Sequence, residues 1–206
     1  MPTRAEILYD AMAMDRTDAL RLTGIIRGRY IDAYVEAIQQ MMNDFGLQET
    51  ARPRPSPREA VTIGEMAVED AKGIVETYNN DLRRKIDILL RDNPDAPLDA
   101  YRAYLNDWYE ERRAWKDEQI SRASASGGAE YGRGQFIEKN RLTTSLVTWF
   151  AIPPIVFNSH QTCIQRVQRG AVSWEEAQDW LPPHPFCRHI RRVVGQPTIS
   201  GEIWRG

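Results

Sequence analysis

The sequence is poor in the residues that bind metals or form disulfides. Its 206 residues include two cysteines and three histidines, and none of these five precedes residue 160. Two cysteines are too few for the disulfide framework of a small secreted protein. The N-terminus has no basic flank followed by an apolar stretch, so no signal peptide is predicted. We therefore expect a protein that is made and used in a cytoplasm, or in an assembly built there.

Long apolar runs and an excess of charge of one sign are also missing. No apolar segment approaches the roughly 20 residues that span a bilayer, so no membrane contact is expected. The formal net charge is −2 at pH 7, which excludes a global basic field that would attract nucleic acid or an acidic membrane. Hydrophobic residues make up 42% of the chain. That content is enough to bury the core of one domain, or of a large domain and a small one.

Helical periodicity dominates the first two thirds of the chain. Apolar residues recur there every three or four positions, which is the spacing of one face of an α-helix. The pattern predicts three long helices, at residues 19–45, 58–91 and 98–124.

Prolines and glycines divide this pattern. Three prolines at alternate positions within 49–57 predict a stiff, solvated linker in polyproline geometry. The small residues of 124–128 predict a flexible break, with a short helix after it near 130–140. We therefore expect two domains, a helical arm over 1–126 and a C-terminal metal-binding module over 127–206.

The C-terminal module has local signals of both strand and helix. The β-branched and aromatic residues of 142–152 predict a strand, and 155–157 predict a second, short one. Ser173-Trp-Glu-Glu176 has the form of a capping box, which predicts a helix of one or two turns through Trp180. The predicted fold class is mainly α with a small α+β C-terminal module. In it, long helices are followed by a zinc-stabilised unit of a β-hairpin and a short helix.

The cysteines and histidines form two groups, His160-x2-Cys163 and His184-x2-Cys187-x-His189. Structural zinc prefers four thiolate and imidazole ligands that arrive as two short pairs. The spacing therefore predicts a structural zinc site. Cys163 and Cys187 are the thiolate ligands, His160 is the third ligand, and either His184 or His189 is the fourth. A metal would supply folding free energy that so short a segment cannot obtain from its own core.

Other interpretations of the cluster stay open. One is a disulfide between Cys163 and Cys187, which a reducing cytoplasm disfavours. Another is that the five residues share no role. A metal-dependent hydrolase or nuclease is the least favoured, because catalytic zinc needs an open coordination position and a general base nearby. Nothing in the sequence marks a nucleophile, so we predict that the chain is not an enzyme.

The order of motifs in the C-terminal region is distinctive. It consists of Thr148-Trp149-Phe150-Ala151, the ligand pair His160 and Cys163, Gly170, and Pro182-Pro183-His184-Pro185-Phe186-Cys187-Arg188-His189. This order resembles the C-terminal signature of the phage Mu F-like minor head proteins, also called head-morphogenesis proteins. That family has a Cys-x2-Cys pair, a glycine, and then Pro-Pro-x-His-Pro-Asn-Cys-Arg-Cys. The resemblance covers about residues 118–195.

The match departs from the family pattern at a few positions. Histidine replaces cysteine at two ligand positions, His160 and His189, which changes the ligand set but keeps it suitable for zinc. Ala123 and Ser124 stand where the family has the last two residues of an Arg-Thr-Glu triplet.

The resemblance implies a structural virion protein of the portal vertex that acts in head assembly. Such a protein is a minor head protein or, in the same class, a head-to-tail neck adaptor. Its implied partners are portal, capsid or neck proteins, with multiple copies in the assembly and contact with packaged DNA as a further expectation. Its location is the virion, and the host cytoplasm during assembly. Members of the family are not generally regarded as enzymes.

The alternative is a zinc-containing nucleic-acid-binding or regulatory module. Arginines near the ligands would contact phosphates in such a module. Residues 151–206 contain six arginines and four acidic residues, an excess too small for a strong DNA-binding protein. The arginines that flank the ligands are Arg166, Arg169, Arg188, Arg191 and Arg192.

Overall fold

The computed structural model describes residues 2–47, 52–142, 146–151, 161–177, 180 and 189–195. The elements in chain order are α1 (Arg4–Met12), α2 (Arg16–Asp44), α3 (Pro57–Asp92), α4 (Leu98–Lys139), β1 (Leu146–Ala151), α5 (Gln161–Arg169), β2 (Val172–Ser173) and β3 (His189–Gly195). The protein is therefore mainly helical, with a small three-stranded antiparallel sheet near its C-terminal end. This confirms the predicted fold class in outline. Within the described part of the chain, no helix is both long and apolar enough to span a bilayer.

Local side-chain bonds fix where helices α1 and α3 begin. At α1, the Thr3 hydroxyl accepts from the Glu6 amide at 3.2 Å while the Glu6 carboxylate accepts from the Thr3 amide at 2.6 Å. At α3, Ser56 and Glu59 form the same reciprocal pair. Each reciprocal pair is a capping box, and it satisfies two backbone donors that the start of a helix leaves without partners. Pro57 is the first residue of α3, a position where its missing N–H costs nothing.

Helix α4 corrects one prediction. The expected flexible break at 124–128 is absent, because α4 runs without interruption from Leu98 to Lys139. The reason is packing against α2. A Cβ on Gly128 would lie 2.5 Å from the backbone oxygen of Tyr30, and one on Gly132 would lie 2.7 Å from that of Tyr34. These glycines therefore allow two helices to approach closely, and do not break the chain.

The chain divides into two compact units. The first comprises Met1–Arg27 and Gly64–Glu118. Its core contains Leu8 of α1 together with residues of α3 and α4, among them Tyr78, Leu82 and Leu105. The Asn79 side chain fixes the segment between α1 and α2, because it accepts from the Met14 amide at 2.9 Å and donates to the Met14 carbonyl at 3.0 Å.

The second unit comprises Gly28–Ile63 and Gln119–Gly206. Its largest fully buried side chains include those of Tyr34, Phe136 and Trp174. The sheet belongs to this unit and has the strand order β2-β1-β3, with β1 antiparallel to both neighbours. The predicted division into an arm over 1–126 and a module over 127–206 stays a prediction.

The carboxylate of Glu59 links three helices of the second unit. It accepts from the Tyr34 hydroxyl at 2.8 Å and from Lys139 Nζ at 2.9 Å, and it also holds the Ser56 amide. Burial opposes its charged form, but hydrogen bonds from Ser56, Lys139 and Tyr34 hold the pKa of the Glu59 carboxyl below its usual value. Burial raises the pKa of the Tyr34 hydroxyl, and the hydrogen bond to Glu59 raises it further by a smaller amount. Glu59 thus connects α2, α3 and α4 through its side chain.

The local predictions for the C-terminal region have mixed outcomes. The strand predicted over 142–152 is confirmed as β1. Residues 155–157 lie outside the described residues. The Ser173 hydroxyl accepts from the Glu176 amide at 3.1 Å, as a capping box requires. The Glu176 carboxylate, however, pairs with Arg169 and does not reach back. Only a single turn follows, over residues 174–177.

Candidate functional site

Two of the five predicted zinc ligands belong to described elements of the second unit. Cys163 lies in α5 and is fully buried, with 0% of its surface exposed. His189 is the first residue of β3 and pairs with Ala151 at the end of β1. Since α5 lies against β1 and β3 is hydrogen-bonded to it, both predicted ligands are on elements that adjoin the same strand.

The other three predicted ligands, His160, His184 and Cys187, lie outside the described residues. Among the residues that the structure does describe, no group of three or more histidine, cysteine or carboxylate side chains is arranged to hold a metal ion. A buried cysteine is also ordinary core packing. The burial of Cys163 suits a shielded thiolate ligand, but it does not by itself distinguish a ligand from a core residue.

The local sequence around Cys163 explains how α5 orients it. Cys163 faces inward, whereas Ile164 and Val167 on the same helix are 37% and 46% exposed. Gly170 ends the helix with a φ of 76°, and its amide donates to the Val167 carbonyl at 3.2 Å. Few residues other than glycine adopt this left-handed conformation without cost. The glycine of the family-like motif therefore has a physical role here as a helix terminator.

A buried charge cluster, which was not predicted from the sequence, connects β3 to α4. The Arg191 Nε donates to Glu130 Oε2 at 2.6 Å, and Arg191 Nη1 donates to the carbonyl of Ala177 at 3.1 Å. The guanidinium also lies 4.0 Å from the centre of the Trp174 ring. Arg133 Nη1 donates to the other carboxylate oxygen of Glu130 at 2.9 Å. The exposed fractions of Glu130, Arg133 and Arg191 are only 4%, 6% and 5%.

This cluster also protects part of the sheet. The backbone amide of Arg191 donates to Glu130 Oε1 at 3.4 Å, so a side chain of α4 covers strand β3 at this residue. Unprotected edge strands are templates for pairing with other chains. The contact between Glu130 and Arg191 therefore both anchors β3 and removes one of its backbone donors from solvent.

The charge cluster is relevant to the alternative that the C-terminal module binds nucleic acid. Arg191 is buried and neutralised by Glu130, and Arg169 forms an ion pair with Glu176. Two of the five arginines expected to contact phosphates are thus already engaged within the chain. Arg188 lies outside the described residues. Of these arginines, Arg191 is buried and is therefore not available to contact phosphates.

A small groove lies beside Arg133 in the second unit. Small side chains of α2 and α4, including Ala37 and Ala129, leave a space of about 220 Å³. Glu36 and Arg133 contribute opposite charges to its lining. Ligand pockets usually have volumes of roughly 300–1,000 Å³ and converging polar groups. We assign no ligand to this groove, since it is smaller and its charges oppose each other.

Comparison of the chain with protein-family models, with curated proteins and with solved structures finds no match.

Proposed function

We propose that the chain is a structural phage virion protein of the portal vertex that acts in head assembly. In this proposal it is a minor head or head-morphogenesis protein, or a head-to-tail neck adaptor, and its C-terminal module is stabilised by zinc. The motif resemblance of residues 118–195 motivates the assignment. The structural observation that supports the proposal concerns the zinc site: Cys163 and His189 both lie on elements next to β1.

The donor set suits a structural zinc ion. Cys163 and Cys187 would supply thiolates, His160 a third ligand, and His184 or His189 the fourth. Bound zinc would contribute folding free energy to a sheet of only three short strands. Cys163 is excluded from water, and structural zinc sites are likewise closed to solvent.

The proposal includes no enzymatic activity. A hydrolytic centre needs a carboxylate or imidazole that is available to accept a proton. Among the described residues of the second unit, the buried carboxylates are those of Glu59 and Glu130, and each forms an ion pair with a lysine or an arginine. Both carboxylates hold helices or strands together in this structure.

The proposed partners are portal, capsid or neck proteins, and the proposed location is the virion, after assembly in the host cytoplasm. Contact with packaged DNA belongs to the same proposal. Several copies of the chain would be present in each particle.

We expect the purified full-length chain to bind zinc at one equivalent per chain, and Cys187→Ser to lose it. Serine keeps the size of the side chain but removes the thiolate that zinc favours. Elemental analysis after extensive dialysis measures the ratio. The matched control is Ser126→Ala, because Ser126 lies on α4 and far from the ligand motifs in sequence. It is expected to retain full zinc.

Thiol titration of the denatured wild-type chain separates the zinc site from its alternatives. Two reactive thiols per chain are expected without added reductant, because zinc-bound and free cysteines are both reduced. No reactive thiols would indicate the Cys163–Cys187 disulfide. Two thiols with no bound zinc would show that the residues have no metal role.

The virion assignment predicts that the chain is part of the particles produced by the genome that encodes it. Quantitative mass spectrometry of purified particles is expected to find the chain in a small, fixed ratio to the major capsid protein. Disruption of its reading frame is expected to yield defective heads, and expression in trans should rescue them. Absence of the chain from mature particles, with heads unaffected by the disruption, would contradict the proposal.

A further inference from the structure

The N-terminal part of α2 presents an exposed face that is both apolar and basic. Leu20 and Ile25 are 64% and 53% exposed, although burial of such side chains is normally favourable. Arg21 and Arg27 lie beside them and are exposed as well. In the described part of the chain, the side chain of neither arginine takes part in a hydrogen bond or an ion pair. Exposed Gly24 lies between the apolar residues, and no atom would lie within 4 Å of a Cβ there.

A segment of α3 in the same unit has an exposed face that is apolar and acidic. Val68 is 53% exposed, Glu65 and Glu69 lie within one turn of it, and Glu76 lies about two turns further along the same exposed face of the helix. Lys72 supplies the single positive charge of this face. Glu65 and Glu69 are four residues apart on one helix, where like charges destabilise each other. None of these glutamates forms an ion pair within the residues that the structure describes.

We propose that these two faces bind each other between copies of this chain. The basic face of α2, defined by Leu20, Arg21, Gly24, Ile25 and Arg27, docks on the acidic face of α3 of a second copy. The acidic face is defined by Glu65, Val68, Glu69, Gly73 and Glu76. Their opposite charges favour this pairing and disfavour the pairing of either face with itself. The apolar residues at both faces would leave water on contact.

Such a contact is heterologous, because two different surfaces of the same protein meet. A pair of copies joined in this way retains one unused basic face and one unused acidic face, so association continues beyond a dimer. The products are a closed ring if the rotation between copies closes, or an open chain if it does not. The contact does not depend on zinc or on the virion assignment, and it would provide a self-association surface for a protein present in several copies.

Charge reversal provides the test. One variant carries Arg21→Glu and Arg27→Glu, and the other carries Glu65→Arg and Glu69→Arg. Each variant presents two faces of like charge and is expected to associate roughly hundredfold more weakly than the wild type. An equimolar mixture is expected to assemble again, since every contact between the two variants joins opposite charges. Sedimentation velocity of the full chains at low ionic strength measures this, and added salt should weaken the wild-type assembly.

The control is Glu111→Arg, an exposed charge reversal on α4 of the same unit. It is expected to associate like the wild type. Circular dichroism of each variant alone establishes that it is folded. A wild-type chain that remains monomeric at low salt and high concentration would overturn the proposal. Charge-reversed variants that assemble singly, or folded variants that fail to assemble when mixed, would do the same.

Gly24 provides a second, steric measurement. Gly24→Leu is expected to leave the fold intact, because there is open space around the Cα atom, and leucine has a higher helix propensity than glycine. If a helix of a second copy packs closely at this point, the same change should weaken association by roughly tenfold or more. Unchanged association of Gly24→Leu would show that α2 is not at the contact.

Discussion

Glu130→Gln is expected to lower the free energy of unfolding by about 3–5 kcal/mol, the typical cost of removing one partner from a buried ion pair. Glu130 is the only carboxylate bonded to either Arg133 or Arg191 among the described residues. Glutamine keeps the shape and one acceptor oxygen but removes the charge. Two nearly buried guanidinium groups would then lack a counter-charge, and both are too basic to lose their protons.

Chemical denaturation followed by circular dichroism measures this effect. Asp99→Asn is the matched control, because it removes the carboxylate of an exposed pair with Arg102 on the same helix. Exposed pairs contribute only about 0–1 kcal/mol, so little change is expected. If the two substitutions lowered the free energy of unfolding equally, Glu130 would not be part of a buried charge cluster.

A second substitution tests the cause. Adding Arg133→Met to Glu130→Gln removes one of the two uncompensated charges and keeps an apolar side chain of similar length. The double variant is expected to be more stable than Glu130→Gln alone, because uncompensated buried charge dominates the loss. If the double variant is less stable, packing by the Arg133 side chain contributes more than its charge costs.

The helices were predictable because their signals are local. Apolar residues at three- and four-residue intervals located α2 and α3 to within a few residues, since one face of each helix is buried over most of its length. The strand β1 was predicted for a similar reason, from a run of β-branched and aromatic residues. The capping boxes at Thr3 and Ser56 carried the same local signal as Ser173, and the pattern of a hydroxyl residue followed by glutamate could have located both.

The buried cluster could not be predicted from the sequence. Glu130 and Arg191 are 61 residues apart, and nothing in the residues around either one specifies the partner. From the sequence, Glu130 was given no role, and Arg191 was considered only as a contact to phosphates. The zinc hypothesis differs, because it depends on residue type and spacing, which the sequence does contain. Of its five residues, the described chain includes Cys163 and His189 alone, so the site stays a prediction.

The glycines of α4 show why local propensity failed at residues 124–128. Two adjacent glycines destabilise an isolated helix by roughly 1 kcal/mol each relative to alanine. In the folded protein, that cost is offset by the close approach of α2. A Cβ on Gly127 would lie 2.6 Å from a ring carbon of Tyr30, and one on Gly128 would lie 2.9 Å from the Tyr30 Cα. Tertiary packing therefore determines the conformation here.

Gly128→Ala tests this interpretation directly. Helix propensity alone predicts a gain of about 1 kcal/mol in stability. The structure predicts a loss of about 1–3 kcal/mol, because the new methyl group would overlap the backbone of Tyr30 and the helices would have to separate. Rotation of a side chain cannot relieve a clash with backbone atoms. The free energy of unfolding, measured by chemical denaturation, distinguishes the two expectations by their sign.

Gly28→Ala is the matched control, since Gly28 is an exposed helical glycine of α2 in the same unit, and its surroundings are open. Alanine there reduces the entropy of the unfolded chain without a clash in the folded one, so a gain of about 0.4–1 kcal/mol is expected. If the two substitutions change the free energy of unfolding with opposite signs, the glycines of α4 are present because α2 packs closely against them. If both substitutions stabilise the protein, α2 and α4 do not pack closely at Gly128, and the flexible break expected from sequence would again be the better description of this segment.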